Sequence, residues 1–110
     1  MSFDPVRIGV IGTGRFGILH AKTLLGLAES ELVALVDCSD KALAELPEEF
    51  SGIPKYSAPE DALRKSNAEA WVVSTSTANH VQIASMLLEQ NAHVLLEKPI
   101  SGNLQDALKL

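Results

Sequence analysis

Residues 6–17 read VRIGVIGTGRFG, an apolar, β-branched run that empties into three closely spaced glycines. Only Arg7 and Gly9 interrupt Val6, Ile8, Val10 and Ile11, the composition of a strand buried on both faces. Gly12, Gly14 and Gly17 then complete a G-x-G-x-x-G. Ile18, Ala21, Leu25 and Ala28 recur at helical spacing behind it and predict a helix over 15–28. Strand, glycine loop and helix in that order give the motif a mechanism. Gly12 permits a tight turn, Gly14 lets backbone approach a pyrophosphate, and Gly17 lets the helix pack against the strand. The helix N-terminus would turn free N–H groups and its dipole toward the anion. With Thr13, Arg15 and Phe16 between the glycines, residues 12–17 are a candidate dinucleotide-phosphate loop. A packing turn without a ligand is the competing reading.

The next apolar run, LVALV at 32–36, predicts a second buried strand, and Asp37 ends it twenty residues past Gly17. A dinucleotide fold places there the carboxylate that accepts from the adenosine ribose. The same charge repels a 2′-phosphate, and residue 38 is Cys rather than an Arg able to clamp one, so NAD is favoured over NADP. Lys41 is the one nearby cation that opposes this preference. An ordinary strand-end or N-cap acid is the plainer role for Asp37, and an inert thiol the plainer role for Cys38.

Strands and helices alternate through the rest of the chain. Ser39 or Asp40 can cap a helix through Ala42, Leu43 and Leu46, limited by Pro47. Residues 53–56 suit a short edge strand, since Pro54 cannot donate to a central ladder. Ser57 with Glu60 predicts a capping box for a helix over 59–65. A strand over 70–75, a helix over 79–90, a strand over 93–96 and a helix starting at Ser101 follow. Such alternation implies parallel pairing with right-handed crossovers. The fold class is therefore α/β, a Rossmann-type doubly wound parallel sheet in the order 3-2-1-4-5, lacking its last strand.

Composition narrows the function classes. The 110 residues, 46% of them apolar, suffice for one domain. Nine Lys/Arg against fourteen Asp/Glu leave a net charge of −5 with no basic cluster, which argues against a nucleic-acid partner. No apolar run approaches the length of about 20 residues that a membrane span needs, and the N-terminus lacks signal-peptide character. A lone cysteine fits a reducing compartment. These features predict a soluble, cytoplasmic, globular domain. No His, Cys, Asp and Glu spacing suggests a metal site.

Ligands of open α/β sheets bind beyond the carboxyl ends of the strands. Two further segments fall there: the hydroxyl-rich loop Ser74-Thr75-Ser76-Thr77-Ala78-Asn79-His80, and Glu97-Lys98-Pro99. The first offers donors to a ribose or carboxamide, or a set of N-cap candidates. The second sets an ammonium beside a carboxylate. A partly buried lysine there can serve proton transfer, whereas a solvated one does nothing.

The glycine loop with His20 just beyond it, the strand ending in Asp37, the TSTANH loop and the HVLLEKP segment together resemble the N-terminal domain of the Gfo/Idh/MocA family. That family includes glucose–fructose oxidoreductase, inositol dehydrogenase and related sugar dehydrogenases. The resemblance spans essentially the whole chain. It implies that Gly12, Gly14, Gly17 and Asp37 contact the nucleotide, that Thr75, Asn79 and His80 approach the nicotinamide ribose, and that Glu97 belongs to the cofactor site. It implies a catalytic role for Lys98 at the substrate site, assisting proton transfer. Ser76 departs from the family's usual Thr-Pro-Thr. His20 and His93 are expected to be structural.

Members of the family are about three times longer, with a second domain that supplies the sugar contacts and a catalytic Asp and His. The resemblance thus implies that residues 1–110 are the NAD(P)-binding domain of an NAD-dependent dehydrogenase. That enzyme would pass hydride between nicotinamide and a sugar or inositol hydroxyl, with a polyol or sugar substrate, and would be a homo-oligomer when full length. The 110 residues alone would bind cofactor with little turnover and leave an uncovered apolar surface. A non-catalytic NAD(P)-sensing or regulatory module is the alternative.

Overall fold

Apolar side chains on both faces of each central strand require cover on both sides, and the chain supplies it with helices above and below one sheet. A computed structural model describes residues 4–98 and 101–110. Five parallel strands, β1 (Val6–Ile11), β2 (Ser30–Val36), β3 (Lys55–Tyr56), β4 (Ala70–Val73) and β5 (His93–Leu96), lie in the order β3-β2-β1-β4-β5. This is the predicted order. The helices are α1 (Arg15–Gly26), α2 (Asp40–Ala44), α3 (Pro59–Lys65), α4 (His80–Glu89) and α5 (Leu104–Leu108).

The strands build two cores. A register shift in the β1–β2 ladder, where Ile8 pairs with Leu32 but Gly9 with Ala34, brings Leu32 and Leu35 to the same face. Val10, Leu32, Leu35 and Val72 point toward one face, where Ala21 of α1 and Phe50 close over them. Ile11, Ala34, Val36, Trp71 and Val73 point to the other, against Ala62 of α3 and Leu87 of α4. Gly9 pairs with Trp71 across the β1–β4 ladder. A Cβ on Gly9 would overlap the Trp71 ring, so the gap in the apolar run is the space that the indole fills.

Several element ends differ from the pattern, each for a local reason. α1 stops at Gly26 rather than at residue 28 because Leu27 turns extended and the Ser30 hydroxyl donates to the Leu24 carbonyl at 2.7 Å. β2 consequently begins at Ser30. Ser39 caps α2 through Ala42 N–H at 3.1 Å, but the helix ends at Ala44, before Leu46 and Pro47. β3 contains only residues 55–56, although the Pro54 carbonyl still accepts from Leu35 N–H at 3.0 Å. The expected capping box is not made: α3 spans the predicted residues, but its N-cap is Ala58 and has no side-chain bond. Pro59 at the first helical position places Ser57 one residue too far out to cap.

β4 ends at Val73, two residues short of the expected strand, and a 3₁₀ turn at Thr77–Asn79 precedes α4, which ends at Glu89. Asn91, at φ 63°, turns the chain from α4 into β5. Asn103, not Ser101, starts α5, its side chain accepting from Asp106 N–H at 2.8 Å.

Candidate functional site

Four backbone bonds continue the sheet one step beyond its strands. Gly12 N–H donates to Val36 O (2.7 Å), Ser74 N–H to Ile11 O (2.8 Å), Asp37 N–H to Tyr56 O (3.1 Å) and Glu97 N–H to Val73 O (3.1 Å). The first residue of each functional loop is thereby held by the scaffold rather than left to the loop.

The three glycines meet three different demands. Gly12 sits at φ +97°, and a Cβ there would overlap the Ser74 carbonyl of the neighbouring loop. Gly17 packs so closely on the loop that a Cβ would overlap the Gly12 carbonyl oxygen. A Cβ on Gly14, by contrast, would meet nothing within 4 Å. Among the described residues no group requires glycine there, so the open space above the first turn of α1 suits close approach by a ligand. Gly14 is the N-cap of α1, which has no side-chain cap and no acid in its first turn. Its first N–H groups and dipole are therefore available to an anion.

Asp37 is tied to this loop. Its Oδ2 accepts from Thr13 N–H at 2.9 Å and from the Thr13 hydroxyl at 2.8 Å, and its Oδ1 accepts from Ser39 N–H at 2.9 Å. Partial burial pushes the carboxyl pKa up, but the bonds from Ser39 and Thr13 outweigh it and hold the group below its ordinary range.

A cleft of about 710 Å³ opens beside these groups. Gly12, Gly14, Asp37, Thr75 and Asn79 line it, bringing five of the sequence-predicted residues together. Asn79 Nδ2 donates to Ser76 Oγ at 2.9 Å, which braces the far wall. The remaining candidates lie around the cleft. Thr13 is 5% exposed, beneath the loop, with its hydroxyl committed to Asp37. His80, 1% exposed, points inward, with Nε2 3.0 Å from the Thr75 carbonyl oxygen. Arg15 and Phe16 are exposed at the start of α1, the guanidinium 6.0 Å from the ring centroid.

Glu97 bonds through Oε1 to Nε2 of His20 on α1, and Lys98 stands exposed just past β5. Pro99 lies outside the described residues. Among the described residues, no three His, Cys, Asp or Glu side chains gather to hold a metal ion, and no helix is long and apolar enough to cross a membrane.

The cleft also has walls that sequence reasoning did not assign to a site. Ile83 and Met86 of α4 face it, as do Gln82, Pro59 and Glu60. Ile83 and Met86 are also packed against the buried cluster around Trp71, and an apolar side chain at such a position reads the same in sequence whether it faces core or cleft. Cys38, exposed, lies at the rim beside Asp37.

An open parallel sheet with a glycine loop after its first strand and a loop-bound acid after its second defines a dinucleotide-binding Rossmann domain. The model of the GFO/IDH/MocA family, described as an oxidoreductase family with an NAD-binding Rossmann fold, matches residues 6–110. The chain belongs to that family and is its NAD-binding domain. It is 35% identical over 101 residues to myo-inositol 2-dehydrogenase of Thermotoga maritima, covering 92% of this chain and 30% of that protein. It is 29% identical over 103 residues to the NAD(+)-dependent scyllo-inositol 2-dehydrogenase of Bacillus subtilis, covering 93% and 30%. Among solved structures, the WlbA dehydrogenase of Bordetella pertussis in complex with NADH and UDP-GlcNAcA superimposes with a TM-score of 0.88 at 28% identity. That match covers 96% of this chain and 32% of the other. The chain spans about a third of the length of these relatives.

Proposed function

We propose that this chain forms the cofactor half of an NAD-dependent dehydrogenase acting on a hydroxyl of an inositol or sugar. The observation that carries the reading is the meeting of Gly14's open space, the uncapped start of α1 and the ionised Asp37 on one cleft. Gly14 and the first turn of α1 would receive the pyrophosphate, and Asp37 a ribose hydroxyl. Thr75 and Asn79, on the cleft wall, would meet the nicotinamide ribose, with His80 bonded to the Thr75 carbonyl from behind. NAD, when bound, supplies the hydride-accepting nicotinamide.

Lys98 is the residue proposed to act on substrate. It leaves β5 at the same carboxyl edge of the sheet as the glycine loop, where an ammonium can polarise an alcohol oxygen or pass on its proton. Its neighbour Glu97 is anchored to α1 by His20. Substrate class and assembly are proposed from the inositol dehydrogenases among its relatives. The lone exposed cysteine suits a reducing, cytoplasmic setting.

Titration of NADH into the chain, following quenching of Trp71 emission, tests the cofactor assignment. Saturable quenching by NADH, with weaker binding of NADPH, is expected. No saturable NADH effect contradicts it.

A further inference from the structure

The side chains at the end of β5 divide between the two faces of the sheet. Val94 and Leu96 pack against the cluster around Trp71, on the face covered by α3 and α4. Glu97 reaches the opposite face, where its Oε1 meets Nε2 of His20 on α1. An ionised carboxylate only accepts, so the imidazole donates. The Glu97 backbone is held as well, its N–H donating to Val73 O at 3.1 Å. The residue before Lys98 is therefore fixed at two points, on β4 and on α1. Among the described residues, no hydrogen bond or ion pair holds the exposed Lys98 ammonium.

The cleft lies on the Trp71 side of the sheet, since Ile11, Val36, Ile83 and Met86 line it. Successive side chains of an extended segment alternate between faces. With Leu96 on the cleft side and Glu97 on the α1 side, the alternation returns Lys98 to the cleft side. A Glu97 carboxylate released from His20 would oppose this. Among the described residues β5 pairs with β4 alone, so its outer edge leaves room for that carboxylate to swing round to the adjacent ammonium. A paired ammonium has a donor and part of its charge committed, and polarises an alcohol oxygen less.

We infer that His20 is a positioning residue: by keeping the Glu97 carboxylate on α1, it denies Lys98 an ion-pair partner and leaves the ammonium turned to the cleft. The cleft part of the inference rests on the nucleotide reading above, whereas the restraint of Glu97 does not. His20 does not line the cleft, so it acts through Glu97 and Lys98 without touching a ligand.

Trace acetylation of lysines, read by peptide mass, tests the restraint without nucleotide. Lys65, at the far end of α3 from the cleft, serves as the internal reference. In His20→Ala, Lys98 should acetylate about two- to fivefold more slowly than in the unsubstituted chain, the scale of an exposed ion pair. His20→Gln, whose amide can donate from nearly the same place, should restore the rate. So should His20→Ala combined with Glu97→Gln, because the competing charge is then gone. A merely structural role for His20 would leave the double variant no better than His20→Ala. An unchanged rate in His20→Ala, a His20→Gln variant that behaves like it, or a slow double variant overturns the inference.

Repeating the labelling with saturating NADH tests the orientation. NADH should slow Lys98 but not Lys65 in the unsubstituted chain and in His20→Gln, and this protection should be lost in His20→Ala. Saturable NADH binding that leaves Lys98 unprotected in the unsubstituted chain overturns the orientation. Absence of saturable NADH binding overturns the nucleotide reading instead, while the acetylation rates without NADH still decide the restraint.

Discussion

His20 and Glu97 lie 77 residues apart in sequence and meet through Nε2 and Oε1, joining the first turns of α1 to the end of β5. The pair ties the helix that starts at the glycine loop to the segment that carries Lys98. Both side chains are partly exposed, which limits what the contact contributes to stability. His20→Ala should lower unfolding free energy by about 0.5–1.5 kcal/mol, measured by urea denaturation. Amide exchange at Glu97 and Lys98 should accelerate while that of β1 stays unchanged. Glu97→Gln, which preserves an acceptor, should cost less.

Asp37 makes stability depend on pH. Its folded pKa lies below the ordinary value of 3.8, so folding favours the ionised form. The stabilisation is fully present above the unfolded value and is lost as pH falls through the folded one. The difference in unfolding free energy between the unsubstituted chain and Asp37→Asn should be flat from neutral pH to about 5 and shrink below 4. A difference that grows on acidification would mean the carboxyl is protonated in the fold.

Gly9 and Trp71 form a packing pair in which one residue supplies the space the other fills. Gly9→Ala should destabilise the chain by about 1–3 kcal/mol, the usual cost of overpacking. In a Trp71→Leu background the same substitution should cost markedly less. Equal costs in both backgrounds, read from a urea double-mutant cycle, would place the strain elsewhere.

Ser76 has φ −63°, the value proline enforces, and it stands where the family usually has proline. Its hydroxyl accepts from Asn79 Nδ2, a bond that Ala and Pro both lose. Ser76→Pro should therefore be more stable than Ser76→Ala by about 0.4–1 kcal/mol, through reduced freedom of the unfolded chain. Thermal unfolding of the two variants checks this. The departure at Ser76 leaves the backbone in the shape proline would impose.

Local patterns made much of this legible. The buried strands announced themselves by β-branched runs, and the glycine loop by its position between strand and helix. Asp37 was readable because strand length fixes where the second strand ends. Other features depend on contacts that no local window contains. Gly9 reads in sequence as an interruption, because the indole that fills its space belongs to Trp71 on another strand. The partnership of His20 with Glu97 has no spacing signature. His80, in a loop rich in polar groups, turned out to support the Thr75 carbonyl from within. Ile83 and Met86 carry the same apolar signal whether they face core or cleft, and they do both.

Amide chemical-shift mapping during NADH titration tests most directly whether the glycine loop and Asp37 form one nucleotide site. Saturable shifts are expected at residues 12–17, 37–39 and 75–79, with little change at the opposite edge of the sheet around Glu69, Asn91 and His93. Saturable shifts centred on that opposite edge, or none at residues 12–17, would contradict it.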